Sequence, residues 1–218
     1  MPASSKAAAA IGVRMHSGWG ALVAVSNDNG TVEVIERRRI VVISPGARGG
    51  KQPYHFAKSL ELPEAEKYLG ESFEAAKCLA LTAVQDLADK VCGQNRIVGS
   101  AVLLASGRPL PHLSKVLASH SLIHAAEGEF YREVFSKACE KLGLPVTGIR
   151  ERDVAEHVQA TFGQGAKRMW QQVSDAGRSL GPPWTQNYKM AALAALLVLE
   201  QAKVNVVRTD RAPRGPVK

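Results

Sequence analysis

Aromatic residues are scarce, at 6% of a 218-residue chain. That scarcity argues against a base-stacking platform of the kind that binds single strands. Cysteine is scarcer still: Cys78, Cys92 and Cys139 are the full set, and no two stand in a CxxC. An odd count without paired spacing fits reduced thiols rather than a disulfide framework, so the expectation is a cytoplasmic protein. No apolar run approaches the ~20 residues that a membrane helix needs. The opening MPASSKAAAA lacks the apolar core of a signal peptide. No membrane contact is therefore expected. The glycine-rich stretch SPGARGGKQPYHFAKSLEL, residues 44–62, has no Lys-Ser/Thr ending and is not a Walker loop. Internal repeats are missing, and Ala7–Ala10 is the one low-complexity stretch.

What remains is ordinary globular composition, with 45% hydrophobic and 22% charged residues. A chain of this length buries roughly 70% of its unfolded surface and needs no staples. The net charge of +8 favours phosphate-bearing partners, nucleic acid among them. Part of that charge sits near the ends, in Lys6, Lys203, Arg208, Arg211, Arg214 and Lys218.

The chain divides into a disordered lead at 1–10, one domain at 11–201 and a basic tail at 202–218. Ile11–Met15, Trp19–Val25 and Thr31–Ile43 read as a three-stranded meander. Asn27-Asp28-Asn29-Gly30 forms its second turn. Residues 44–62 read as a loop. From Pro63 to Val91 apolar residues recur at helical spacing. Ile97–Ala105 is nearly all apolar, as a strand covered on both faces would be. A helical region then runs to Leu142, followed by a short strand at Leu144–Ile149 and helices through Phe162 and over Ala166–Ala176. The alanine-rich helix Lys189–Gln201 closes the domain.

This order resembles the RNase H-like fold, and the second half resembles its RuvC resolvase branch. The residues that carry the likeness are Leu144-Pro145-Val146, the pair Val154 and Val158, Lys167–Val173, and Lys189-Met190-Ala191-Ala192-Leu193-Ala194-Ala195-Leu196. The resemblance implies an α/β domain with a mixed five-stranded sheet and helices on both faces. It also implies a nuclease that holds two divalent metal ions on carboxylates. Those acids come from the first strand, the end of the fourth strand and the last helix. Here the first strand, Ile11–Met15, has no acid. The fourth ends at Ala105-Ser106, and the last helix opens Asn187-Tyr188-Lys189-Met190. The usual catalytic carboxylates are missing from all three places.

Other polar groups stand near strand ends, where open α/β sheets bind ligands. His16 and Ser17 fall at the first turn, and Ser106, Arg108 and His112 follow the fourth strand. His120, His124 and Glu127 are spaced i, i+4, i+7 and share one helical face. Two imidazoles and a carboxylate so placed suit a divalent metal, although paired helical histidines also pack or hydrogen-bond. If the protein is catalytic, phosphodiester hydrolysis centres on His16, Ser106, His120, His124 and Glu127. His120, His124 and Glu127 are then the candidate metal ligands. Nucleic-acid contacts fall to Arg48, Lys51, Lys58 and Arg108. The leading expectation is a nuclease-like protein of nucleic-acid metabolism with a degenerate or rebuilt active site. A non-catalytic nucleic-acid-binding module and a scaffold protein are the alternatives.

Overall fold

A computed structural model describes residues 6–105 and 109–210, with side chains as far as 204. The described residues form one α/β domain around a mixed five-stranded sheet of order β3-β2-β1-β4-β5. Strands β1 (Ala7–His16), β2 (Trp19–Asp28) and β3 (Thr31–Val41) are the antiparallel meander. Strand β4 (Asn95–Leu104) lies parallel to β1 on one side and to β5 (Val146–Arg150) on the other. The two-sided apolarity of β4 thus marks an interior strand, as expected of a parallel pairing.

Helices cover both faces. Helix α1 (Pro53–Ala57) and helix α2 (Leu62–Val91) precede β4. Helices α3 (Leu113–Leu117) and α4 (His120–Lys141) follow it. Helices α2 and α4 pack on the face formed by Ala9, Ile11, Val13, Met15, Leu22 and Val102. On the opposite face lie α5 (Val154–Phe162), α6 (Ala166–Leu180) and α7 (Gln186–Asp210). Residues Met190 to Leu199 of α7 are all buried, because α5 and α6 cover the helix on the side away from the sheet. A helix apolar all round has to be interior, and the alanine-rich composition is what lets it approach the strands. None of the described helices is long and apolar enough to cross a membrane.

Two boundaries differ from the sequence reading. Strand β1 begins at Ala7, inside the segment expected to be a disordered lead. Alanine is a weak strand former, but Ala7, Ala8 and Ala9 pair with Asn95, Arg96 and Ile97, and that tertiary ladder overrides propensity. Helix α7 likewise runs to Asp210, beyond the expected end of the domain at 201. Lys203 there bonds the Asn27 carbonyl and Glu200, which ties the extension to the β2–β3 turn.

Strand β3 changes face partway. Ala24 pairs with Glu36 and Val25 with Val34, which leaves Ile35 as an extra residue. Before it, Val32 and Val34 face the α6–α7 layer. After it, Ile40 and Val42 face the α2–α4 layer. One inserted residue inverts the two-residue alternation, so the irregular run VEVIERRRIVVI serves both cores.

Candidate functional site

Two polar clusters stand at the sheet's margins, and each follows from a packing requirement. The first grows from β1. Its even-numbered residues point toward α7: Ala8 and Ala10 join that core, and Gly12 lies against the helix backbone. A Cβ on Gly12 would stand 1.9 Å from the Ala191 carbonyl oxygen, so α7 touches the sheet there. Two residues on, the same face presents Arg14. Its Nη2 and Nε donate to Glu151 at 2.6 and 3.0 Å, a two-point match of guanidinium to carboxylate. Its Nη1 donates to Asn187, in the first turn of α7.

His16 is next on that face. It stacks on Trp19 with ring centroids 4.3 Å apart, and the Arg39 guanidinium lies 3.8 Å from the Trp19 ring. Burial first, and the nearby Arg14 charge second, hold the His16 imidazole below its ordinary pKa; Asn187 and Glu151 oppose them. Beside this cluster opens a cleft of ≈ 540 Å³ lined by Leu104, Ala105, Glu151, Arg152, Gln186 and Met190. It lies beyond the ends of the parallel strands, where such sheets bind ligands. Arg150 and Arg152 flank Asp153 at 2.6 and 3.2 Å at its rim.

The second cluster joins α1 to α4. Glu127 of α4 is 3% exposed. Its Oε1 accepts from the Tyr54 and His55 backbone N–H groups at 2.9 and 3.1 Å, and lies 3.2 Å from His55 Nδ1. The first turn of α1 has no side-chain cap of its own, since Gln52 supplies none. Glu127 takes that role from a different helix. Its second oxygen, Oε2, is buried with no partner. Desolvation pushes the Glu127 carboxyl above its ordinary pKa, against the pull of its His55 and Tyr54 partners.

Over this carboxylate lie three imidazoles. His120 and His124 stand one turn apart on α4 with Nε2 atoms 3.0 Å from each other. The His55 ring centroid is 5.5 Å from that of His120 and 4.9 Å from that of His124. One ring nitrogen from each of His55, His120 and His124 falls within a 4.8 Å span. Among the described residues this is the one group of three side chains close enough to share an ion.

The sequence-nominated residues therefore fall into two sets. His120, His124 and Glu127 come together, with Glu127 beneath His55 rather than beside the other two. His16 belongs to the Arg14 cluster, among Trp19, Arg14, Asn187, Glu151 and Arg39, and its Nε2 is buried without a partner. Ser106 and Arg108 lie outside the described residues. Arg48, Lys51 and Lys58 remain on the loop around α1. There Arg48 places its guanidinium 4.9 Å from the Phe56 ring, while its carbonyl accepts from the Tyr68 hydroxyl at 2.7 Å.

Sequence reasoning did not nominate Arg14, Glu151, Asn187 or His55. A charge in phase with Gly12 inside an otherwise apolar strand was the signal for Arg14. For His55 the signal was Pro53, which suits the first position of a helix inside the supposed loop. Trp184 is held by packing within the α6–α7 layer. Its Nε1 donates to the Val173 carbonyl at 2.8 Å and its ring covers Gly177, sealing α6 against α7.

No protein-family model matches the chain, and no curated protein matches it. Solved structures do. The RuvC of T. thermophilus in complex with a Holliday junction substrate is similar at 13% identity and a TM-score of 0.50, over 90% of this chain and 95% of that one. A second structure, Thermus thermophilus RuvC, is similar at 11% identity and a TM-score of 0.50, over 90% of this chain and 96% of that one. The fold is RNase H-like, of the RuvC type.

Proposed function

We propose that this chain is a nucleic-acid-binding protein on a nuclease-like fold, with a crevice that no longer performs carboxylate–metal chemistry. The observation that carries this reading is the bidentate Arg14–Glu151 pair, at 2.6 and 3.0 Å, in the crevice beside the ends of β1 and β4. Two hard divalent ions need several converging oxygens. In this crevice the Arg14 guanidinium engages the Glu151 carboxylate and repels cations. The donor set does not fit a two-metal centre.

The same charges suit phosphate. Arg152, exposed at the cleft, together with Arg150 and Arg39, gives the crevice a positive rim, and guanidinium matches phosphate geometry. The RuvC of T. thermophilus was solved on a Holliday junction. Branched DNA is accordingly the first probe.

A rebuilt hydrolytic site is the second reading, and His16 is what favours it. Its lowered pKa keeps the imidazole neutral near pH 7, as a general base requires. On that reading His16 works at the crevice, while His120, His124 and Glu127 form a separate cluster.

The deciding experiment titrates labelled four-way junction, duplex DNA and RNA against salt, then incubates each with Mg²⁺, Mn²⁺ or Zn²⁺. Binding that weakens steeply with salt, without cleavage, is the expected result. Cleavage lost in His16→Ala would establish the second reading instead. No binding at low salt would remove both and leave an interaction protein.

A further inference from the structure

We infer that His55, His120 and His124 form a binding site for a divalent transition ion that favours imidazole, zinc foremost, with Glu127 orienting His55 from behind. The site lies on the α1–α4 layer, away from the crevice, and does not depend on the reading above.

Geometry comes first. The three ring nitrogens lie within 4.8 Å of one another. Tetrahedral zinc with Zn–N bonds of ~2.0–2.1 Å sets ligand nitrogens about 3.3 Å apart. The His120 and His124 Nε2 atoms, at 3.0 Å, are within a few tenths of that. Two neutral imidazoles in such contact share one proton between two lone pairs. An ion on both nitrogens satisfies each.

The second observation is the buried carboxylate. Glu127 Oε1 faces His55 Nδ1 at 3.2 Å, which leaves His55 Nε2 as its free ring nitrogen. A carboxylate holding the far nitrogen of a ligating histidine is the recurrent outer-shell arrangement of zinc sites. It fixes the tautomer and the ring plane. It also explains why a 3%-exposed glutamate with an unpartnered oxygen stands here, since an ion beyond His55 balances its charge.

Donor chemistry selects the ion. Three imidazoles with no carboxylate among the ligands suit zinc, cobalt, nickel or copper and disfavour magnesium and calcium. Three protein ligands leave a fourth position, and the exposure of His120 and His124 opens it to solvent. The ion would bridge α1 to α4 and so fasten the 44–61 segment to the domain.

The test uses the full chain stripped of metal. Zn²⁺ is titrated by calorimetry, Co²⁺ by visible absorption, and stoichiometry is read by native mass spectrometry. One ion per chain, an intense tetrahedral Co²⁺ spectrum and a thermal midpoint raised by Zn²⁺ are expected. Glu127→Gln, which keeps an acceptor for the α1 amides, should weaken binding about 10–100-fold. His120→Ala and His124→Ala should weaken it more; both residues are exposed, so both variants should fold, as circular dichroism would verify. His157→Ala, at an exposed histidine on α5, should change nothing. Failure to bind stoichiometric Zn²⁺, an octahedral Co²⁺ spectrum, or undiminished affinity in the His120→Ala/His124→Ala double variant would overturn the site. None of these outcomes bears on nucleic-acid binding, so the two readings fail separately.

Discussion

The Arg14 cluster and the His55 cluster are both built from residues far apart in sequence, yet they are balanced in opposite ways. Arg14 meets a carboxylate and an amide, and its charge is matched within the cluster. Glu127 meets two backbone amides and one imidazole, and keeps a buried oxygen without a partner. The first cluster is closed: its strongest donor is already spent on its own neighbours. The second keeps a buried carboxylate oxygen without a partner, beside imidazoles of which two bond each other at 3.0 Å. Each cluster keeps one buried polar atom without a partner, His16 Nε2 in the first and Glu127 Oε2 in the second, but only the second sets three imidazoles within reach of one ion.

The largest way to break this comparison acts on the crevice through its backbone. Gly12→Val would force α7 off the sheet, because the added carbon meets the Ala191 carbonyl rather than a movable side chain. A loss of about 3 kcal/mol is expected from overpacking at such a site. Urea unfolding measures it, and an unchanged midpoint would mean that α7 is not held where the crevice requires.

Next is Glu127→Ala, which strands the Tyr54 and His55 amides and frees α1 from α4. A cost of about 2 kcal/mol follows from unsatisfied donors. Hydrogen exchange should rise over 53–57 while the sheet stays protected. Arg14→Ala should cost less, about 1 kcal/mol, since its side chain is 26% exposed and that of Glu151 40%. If Arg14→Ala proves the costlier of the two, the assignment of closed and open clusters is reversed.

The pH dependence sharpens the contrast, because the two groups act with opposite sign. His16 has its folded pKa below 6.5, so between the two values the unfolded chain binds more protons. Its contribution raises stability with pH and is lost as pH falls below 6.5. Glu127 has its folded pKa above 4.5, so between those values the folded chain binds more protons, and stability falls as pH rises through that window. Denaturant midpoints from pH 4.5 to 8 should therefore show His16→Gln flattening the acid-side loss, whereas Glu127→Gln removes a slope of the other sign. Identical profiles in the two variants would contradict both assignments.

The smallest expected effect on stability is that of Arg152→Ala, within about 0.5 kcal/mol, as for an exposed ion pair. Its effect on binding should be visible all the same. Losing one phosphate contact should reduce the salt slope on duplex DNA by about 0.9.

Much of the fold was legible because its signals are local. Continuous apolarity marked β4, helical spacing marked α2, and an alanine-rich run marked α7. The i, i+4 spacing of His120 and His124 was equally local, and it announced half of the histidine cluster. The remainder was not. His55 sits on a five-residue helix within a stretch whose glycines read as a loop, and too short a helix leaves no periodicity to detect. Ala7–Ala10 spoke against a strand until β4 paired with it.

Taken alone, the sequence determined the order of the main elements and the two-sided burial of β4, since each is written in neighbouring residues. Only the tertiary structure decided which charges meet. Arg14 finds Glu151 137 positions away, and Glu127 lies under an imidazole 72 positions before it. Such meetings depend on strand order, on a helix resting against Gly12 and on a cap supplied from another helix. These are packing outcomes that no local pattern encodes, because the energy that selects them appears only when the layers close.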